Sequence, residues 1–374
     1  MVFLGNYINC VKKTKPTTSL DLLLTETMAV NLETVFKSVQ ELANSKQVPE
    51  KYIHPEWPVN TSPPLLDVPE VDLGLIISPT SPARDEELNK LQSGLKSCGC
   101  FQVINHGIED SFLDKMHEIS KQFFALPTEE KLKYARTVDA DAIEGYGNDS
   151  VLSEKQTLDW TDRLYLNVFP EDIRKLQFWP QKPECFREVF EEYLKKLKLL
   201  SESLLKAIAT SLNVEENCFL DQCGECRTMV ARFNFYPSCP RPDVVLGVKP
   251  HADGSAITIL LQDKEVEGLQ VLKDDQWFRV PVVPYGFLIN VGDQVEIMSN
   301  GIFKSPVHRV VTNAERERNT LAVFIMPDAD VEIGPVEKLI NAERPRVYKN
   351  VKNYVELFFQ YYQKGRRPIE AAMI

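Results

Sequence analysis

His251-Ala252-Asp253 places an imidazole and a carboxylate two residues apart, just ahead of the apolar run that begins at Ser255. In an extended chain residues i and i+2 point to the same face, so the two groups can converge on one point. A lone His-x-Asp also reads as a solvated turn. The motif gains weight from His308, the only other histidine of the β-rich C-terminal region. Two imidazoles and one carboxylate on one face form the ligand set of a non-haem Fe(II) centre, which leaves coordination positions open for an oxidant and a co-substrate. Just downstream, Arg318 and Thr320 share a face at the head of the apolar run Leu321 to Met326. An unpaired charge is costly there, and a guanidinium in such a place suits a carboxylate bound bidentately. An ion pair with a glutamate of the turn Asn313 to Glu317 is the plainer alternative.

Elements must hold these groups. From Thr228 onward short β-rich runs alternate with turn signals: TMVARFNFY, VVLGV, SAITILLQD, GLQVL, QWFRV, GFLINV, QVEIMS, HRVVT and NTLAVFIM. Such spacing predicts an antiparallel sandwich or barrel. Lys273-Asp-Asp-Gln and Val291-Gly-Asp-Gln read as hairpin turns, and residues 308–312 and 318–324 as a hairpin joined at 313–317. Upstream the pattern is helical. Leu88, Leu91 and Leu95 recur at helical spacing within 85–97, residues 109–124 are amphipathic, and 186–211 is the strongest helix of the chain. Thr128 is a candidate cap for a short helix after Pro127. Val68-Pro-Glu-Val-Asp-Leu and Phe101-Gln-Val-Ile-Asn read as strands, and a last helix near 351–363 is rich in aromatics. Val35, Phe36, Val39, Leu42 and Ala43 make a weak helical stripe, followed by a proline-rich linker over 48–67.

Composition narrows the partners. Lys plus Arg is 43 against 54 Asp plus Glu, a net charge of −11, with no basic stripe of the kind nucleic-acid binders carry. The longest uncharged run, Val280 to Gly292, contains Pro281, Pro284 and Gly286, and is too short for a membrane span. Eight cysteines in 374 residues are too sparse for a disulfide scaffold, and Cys223-Gly-Glu-Cys226 reads as ordinary reduced thiols. The first arginine is Arg84, so the start is a poor transit peptide and the expected location is cytoplasmic. Met28 opens a more ordinary start, which makes residues 1–27 a candidate extension. The sequons at Asn60 and Asn148 carry no meaning in such a compartment. His106 reads as a structural histidine bonded to backbone, His54 and His117 as surface or linker histidines, and Glu129-Glu130-Lys131 as a solvated face. Phe324, on the Thr320 face, is a candidate for lining a substrate pocket or equally a core aromatic; Tyr146 and Trp160 are candidates for its mouth.

Taken together, His251-x-Asp253, His308 and Arg318-x-Thr320, with Asn234-Phe-Tyr236-Pro-Ser-Cys-Pro upstream, resemble the plant 2-oxoglutarate- and Fe(II)-dependent dioxygenases. Phe101-Gln-Val-Ile-Asn-His-Gly107, Gly145-Tyr-Gly147 and Leu158-Asp-Trp160 extend the likeness through the N-terminal half, so that it spans about residue 33 to the end. The senescence-related, alkaloid O-demethylase and flavonoid oxidase-like branch is the most similar. The resemblance implies an α+β fold, a double-stranded β-helix (jelly-roll) core flanked by N-terminal and C-terminal helices. It divides the chain into a 1–67 extension, helix and linker, a 68–224 helical region, a 225–330 core and a 331–374 C-terminal segment. It further implies Fe(II) on His251, Asp253 and His308. The 2-oxoglutarate would be held by Arg318, Thr320, Tyr236 and Asn234, with Arg232 at a position that is often basic. Ascorbate would keep the iron reduced. The family's usual Arg-x-Ser is Arg-Asn-Thr here; threonine keeps the hydroxyl. The implied partners are a small-molecule substrate and O2, acting on a monomer without nucleic acid or membrane. The implied reaction is hydroxylation, O-demethylation or desaturation of a largely apolar plant metabolite, releasing succinate and CO2. A related iron oxidase that does not use 2-oxoglutarate, and a non-catalytic small-molecule-binding relative, remain as alternatives.

Overall fold

Strand alternation sorts side chains onto two sides of one large sheet. The computed structural model describes residues 38–56, 59, 63–137, 143–148, 156–362 and 366–374; the expectations about residues 1–27, Met28, Val35, Phe36 and Asn60 lie outside these. Among the described residues fourteen strands follow in chain order: β1 (Glu70–Asp72), β2 (Cys100–Ile104), β3 (Gly145–Gly147), β4 (Asp162–Phe169), β5 (Thr228–Tyr236), β6 (Leu246–His251), β7 (Ile257–Leu261), β8 (Leu269–Lys273), β9 (Gln276–Arg279), β10 (Phe287–Val291), β11 (His308–Val311), β12 (Arg318–Met326), β13 (Glu332–Ile333) and β14 (Val351–Lys352). An eight-stranded sheet runs β1-β2-β10-β7-β12-β5-β4-β3, and a four-stranded sheet runs β6-β11-β8-β9. Only the β1–β2 pair is parallel within the large sheet. This is the α+β, jelly-roll architecture expected, and four of the large sheet's strands come from upstream of the core run.

On the outer side of the large sheet, Ala231, Phe233 and Phe235 of β5, Leu321, Val323 and Ile325 of β12, and Phe287, Ile289 and Val291 of β10 join one apolar core with the helices. Phe233 meets Phe186 and Phe190 at ring-centre distances of 5.4 and 5.0 Å. Those rings belong to the helix Phe186–Ser211, which follows the predicted bounds and buries Phe186, Phe190, Tyr193, Leu197, Leu204 and Ile208 along one stripe. Each such side chain contributes about 1.5–3 kcal/mol through burial. The intervening residues of the same strands point inward, where Tyr236, Leu260, Leu288 and Ala322 pack with Val248, Leu269, Val271 and Val310 of the small sheet.

Local rules set the connections. The helix Arg84–Cys98 stops at Gly99, φ 69°, where an added Cβ would lie 2.3 Å from the Lys304 carbonyl oxygen; only glycine fits. Asp274 and Asp275, at φ 49° and 58°, form the tight β8–β9 turn predicted from Lys273-Asp-Asp-Gln. Three expectations fail. Residues 294–299 are not a strand: Asp293–Met298 is a helix, entirely buried, and Gly292 leads into it rather than into a hairpin. A short run buried all round has no usable period. Strands β11 and β12 do not pair; β11 lies between β6 and β8, and β12 between β5 and β7, so the turn at 313–317 crosses between sheets. Thr128 does not cap its helix, whose N-cap is Pro127. Surface readings fail too. His54 and His117 are buried, and burial pushes the His117 imidazole down to about 4. Lys131 is also buried, donating to the Phe124 carbonyl at 2.9 Å and to Gln40. His106 is as expected, its Nε2 2.8 Å from the Tyr285 carbonyl.

Strand β4 had no counterpart in the sequence reading, although its burial alternates residue by residue. Its first residue, Asp162, accepts from the Val39 N–H (2.8 Å) and the Gln40 N–H (2.9 Å), capping the helix Val39–Asn44 from a distance in sequence. Burial raises its carboxyl to about 6. Asp162→Ala should cost about 1–2 kcal/mol, as lost helix caps do. The check is chemical denaturation, with early proteolysis expected near residues 39–44.

Candidate active site

The inward-facing residues converge on one cavity. Cross-strand pairing of β5 with β12 sets Tyr236 opposite Arg318, Asn234 opposite Thr320 and Arg232 opposite Ala322. Pairing of β12 with β7 sets Phe324 opposite Thr258. In the small sheet His308 of β11 faces His251 of β6. All of these line a cavity of about 490 Å³, open mouth included, together with Val248, Leu260, Leu269, Asn290 and Val310.

At one end His251, Asp253 and His308 offer ligand atoms that all lie within 4.8 Å of one another. The His251 Nδ1–H donates to the Lys249 carbonyl at 2.9 Å, and the His308 Nδ1–H to the Pro306 carbonyl at 3.0 Å. A carbonyl can only accept, so each ring carries its proton on Nδ1 and turns a bare Nε2 inward. Both Nε2 atoms are 3.7 Å from Asp253 Oδ1. Burial first, and then the neighbouring imidazole, holds His251 well below its ordinary pKa; a neutral imidazole is the ligating form. The other carboxylate oxygen, Oδ2, accepts from Thr258 Oγ1 at 2.7 Å, and the Asp253 carbonyl accepts the Asp293 N–H at 2.8 Å. Two nitrogens and one oxygen on one side fit a divalent iron and leave its opposite side free.

At the other end Arg318, 3% exposed, donates from Nε to the Val266 carbonyl at 3.1 Å. Its guanidinium carbon lies 5.5 Å from the centre of the Tyr236 ring, and its buried Nη2 has no protein partner. Burial lowers its pKa, while Tyr236 and Asp263 raise it. Among the described residues no ion pair joins Arg318 to Glu315 or Glu317 of the 313–317 turn, where Arg316 instead reaches Glu265. Asn234 Nδ2 donates to Thr320 Oγ1 at 3.3 Å. A buried cation with a free donor, beside a hydroxyl and an amide, fits the far carboxylate of a dicarboxylate co-substrate. Arg232 also lines the cavity, with Nε and Nη2 buried and unpartnered.

Of the three candidate pocket residues, Phe324 lines the cavity, whereas Tyr146 and Trp160 do not. Trp160 is fully buried in a separate cluster with Val39, Tyr52, Leu158, Cys239 and Val245, its Nε1 donating to the Pro237 carbonyl at 3.2 Å. Tyr146 packs edge-on to Phe123, with ring centres 5.8 Å apart, on the helical side of the sheet. Thr258 and Asn290 escaped the sequence reading. Their signal was available, since each is a polar residue at an inward position of an apolar strand.

The chain is similar to known proteins along most of its length. The family model of the 2OG-Fe(II) oxygenase superfamily matches residues 226–327, and that of the N-terminal region of the non-haem dioxygenase in morphine synthesis matches residues 68–182. The chain is 40% identical over 319 residues to Codeine O-demethylase of Papaver somniferum, covering 83% of this chain and 88% of that protein. It is 39% identical over 320 residues to Flavonol synthase/flavanone 3-hydroxylase of Eustoma exaltatum subsp. russellianum, covering 84% and 94%. The crystal structure of JOX2 in complex with 2OG, Fe and JA superposes with a TM-score of 0.79 at 33% identity, over 90% of this chain and 98% of that one. Relatives this similar along nearly the whole length, on a fold with these strands, place the chain in the 2OG-Fe(II) oxygenase superfamily as a 2-oxoglutarate- and Fe(II)-dependent oxygenase.

Proposed function

We propose that this oxygenase hydroxylates or O-demethylates a small, largely apolar plant specialised metabolite or hormone. The observation that carries the reading is a single cavity holding both an open three-ligand cluster and an unpaired buried guanidinium. Bound iron supplies the oxygen chemistry and 2-oxoglutarate the accompanying electrons, leaving as succinate and CO2. The chain's own part is placement. His251, Asp253 and His308 hold the metal, and Thr258 fixes the Asp253 carboxylate. Arg318 grips the co-substrate's far carboxylate, with Thr320, Tyr236 and Asn234 beside it. Val248, Leu260, Leu269, Val310, Ala322 and Phe324 keep water from the reacting centre. Arg232 offers donors to an oxygen of the molecule lying at its end of the cavity. Two similar enzymes are named for codeine and for a flavanone, ring compounds whose carbon frameworks suit a largely apolar wall.

The reading extends to ascorbate as the reductant, to a monomer and to a cytoplasmic location, where the described cysteines, all free thiols, stay reduced. No helix among the described residues is long and apolar enough to cross a membrane. We take residues 225–330 as the catalytic core, 68–224 as the helical region that completes its large sheet, and 331–374 as its C-terminal cover. Incubation of a plant metabolite pool with protein, Fe(II), 2-oxoglutarate and ascorbate, read by mass spectrometry, tests the function. Product formed in step with succinate supports it. Product without 2-oxoglutarate would point to the oxidase alternative, and iron binding without oxygen uptake to the binding-protein alternative.

Thr258→Val keeps the shape but removes the hydroxyl that holds Asp253. Metal affinity should fall about tenfold, the lower end of the range for groups that orient a ligand. Titration with Mn(II) measures it, and 2-oxoglutarate binding at saturating metal should stay within a factor of about two.

A further inference from the structure

Asp263 lies outside the cavity and touches none of the molecules proposed to enter it, yet its carboxylate is spent entirely on backbone. It is 8% exposed. Its Oδ1 accepts from the N–H groups of Glu265 and Val266, both at 3.0 Å, and its Oδ2 accepts from the N–H of Asn319 at 3.0 Å. The first two bonds curl the segment that follows β7 back on itself. The third ties that segment to β12 at the residue next to Arg318. The curled segment presents the Val266 carbonyl, which accepts from Arg318 Nε. It also brings Gly268 so close that an added Cβ would lie 3.0 Å from Arg318 Cδ and 3.2 Å from Nε. With Nε held and the stem covered, Nη2 is the part of the guanidinium left buried without a partner.

We propose that Asp263 is a positioning residue for co-substrate binding: it sets the 263–268 segment as a rest that aims the Arg318 guanidinium at the 2-oxoglutarate carboxylate. The inference builds on the proposed role of Arg318. Two ways for Asp263 to act make opposite predictions. As a bare negative charge near Arg318, it would compete with the incoming carboxylate, and its removal would tighten 2-oxoglutarate binding. As a positioning group, its alteration loosens binding whether or not the charge survives.

The test is calorimetric titration of 2-oxoglutarate into the full-length protein loaded with redox-inert Mn(II). Asp263→Asn keeps the size but turns an amide NH2 toward a backbone N–H. Asp263→Glu keeps the charge but displaces it by a methylene. Both should weaken 2-oxoglutarate binding about tenfold, a loss of the order expected for hydrogen bonds to a charged group, with Mn(II) affinity unchanged. Binding by Asp263→Asn equal to or tighter than that of the parent overturns the proposal, as does unchanged binding by Asp263→Glu. If the asparagine variant fails to fold, the glutamate variant decides. Arg318→Ala in the same titration separates the two readings. Undiminished binding there removes the Arg318 role itself, whereas weakened binding there with normal binding by the Asp263 variants removes only this inference.

Discussion

Arg318→Ala raises the 2-oxoglutarate concentration needed for half-maximal turnover by roughly 10- to 100-fold, from about 1.5–3 kcal/mol for hydrogen bonds to a charged group. The guanidinium is buried, its Nε occupied by the Val266 carbonyl and its Nη2 unpartnered. Alanine removes the charge that Tyr236, Thr320 and Asn234 flank on the cross-strand face of β5 and β12. Metal affinity should not change, because among the described residues no hydrogen bond or ion pair joins Arg318 to His251, Asp253 or His308. Arg318→Lys should recover part of the loss and no more, since an ammonium returns the charge without the planar fork. The measurement is the 2-oxoglutarate dependence of succinate release beside an Mn(II) titration. Unchanged co-substrate dependence would falsify the assignment.

Asp253→Ala abolishes substrate-dependent succinate release, with a residual rate at least about 100-fold below the parent, beyond what loss of a mere orienting group costs. The carboxylate is the single anionic member of the cluster, and both imidazoles aim at its Oδ1. The fold should survive the change. Alanine keeps the carbonyl that accepts the Asp293 N–H, and Thr258 Oγ1, which loses the Asp253 carboxylate, keeps Ser255 Oγ as a partner at 3.0 Å. An unchanged melting temperature with lost metal affinity is therefore the expected pair of results, and His251→Ala should behave alike. Full turnover by either variant would refute the metal centre as drawn.

The cluster of His251, Asp253 and His308 and the buried Arg318 were legible in sequence because each breaks a local rule: ionisable residues at the edges of apolar strands, where burial is costly unless a partner arrives. The helix at 186–211 was legible because its apolar stripe persists over its whole length. Failures have equally specific causes. Gln294 to Ser299 lost its period by being buried on every side, with Glu296 accepting from Tyr348, Lys304 and Ser305. The pairing of β11 and β12 was assumed from a short turn, and turn length does not say which sheet each strand joins. Trp160 looked like a mouth residue because aromatic residues serve both roles; only tertiary packing distinguishes a core indole with its N–H satisfied from an exposed one. Asp263 was invisible because it bonds nothing but backbone, and sequence does not record which N–H a carboxylate meets.

The two-sided burial of the central strands has a consequence for how such an enzyme can change. On β12, residues 318, 320, 322 and 324 address the chamber and 321, 323 and 325 address the helices. The chain thus carries two interleaved alphabets, one for chemistry and one for folding, read at alternate letters. A substitution at Ala322 or Phe324 redraws the space a substrate sees while the hydrophobic seam one residue away is left as it was. On the proposed function, substrate can therefore be varied at 322 and 324 without touching the outward-facing residues 321, 323 and 325.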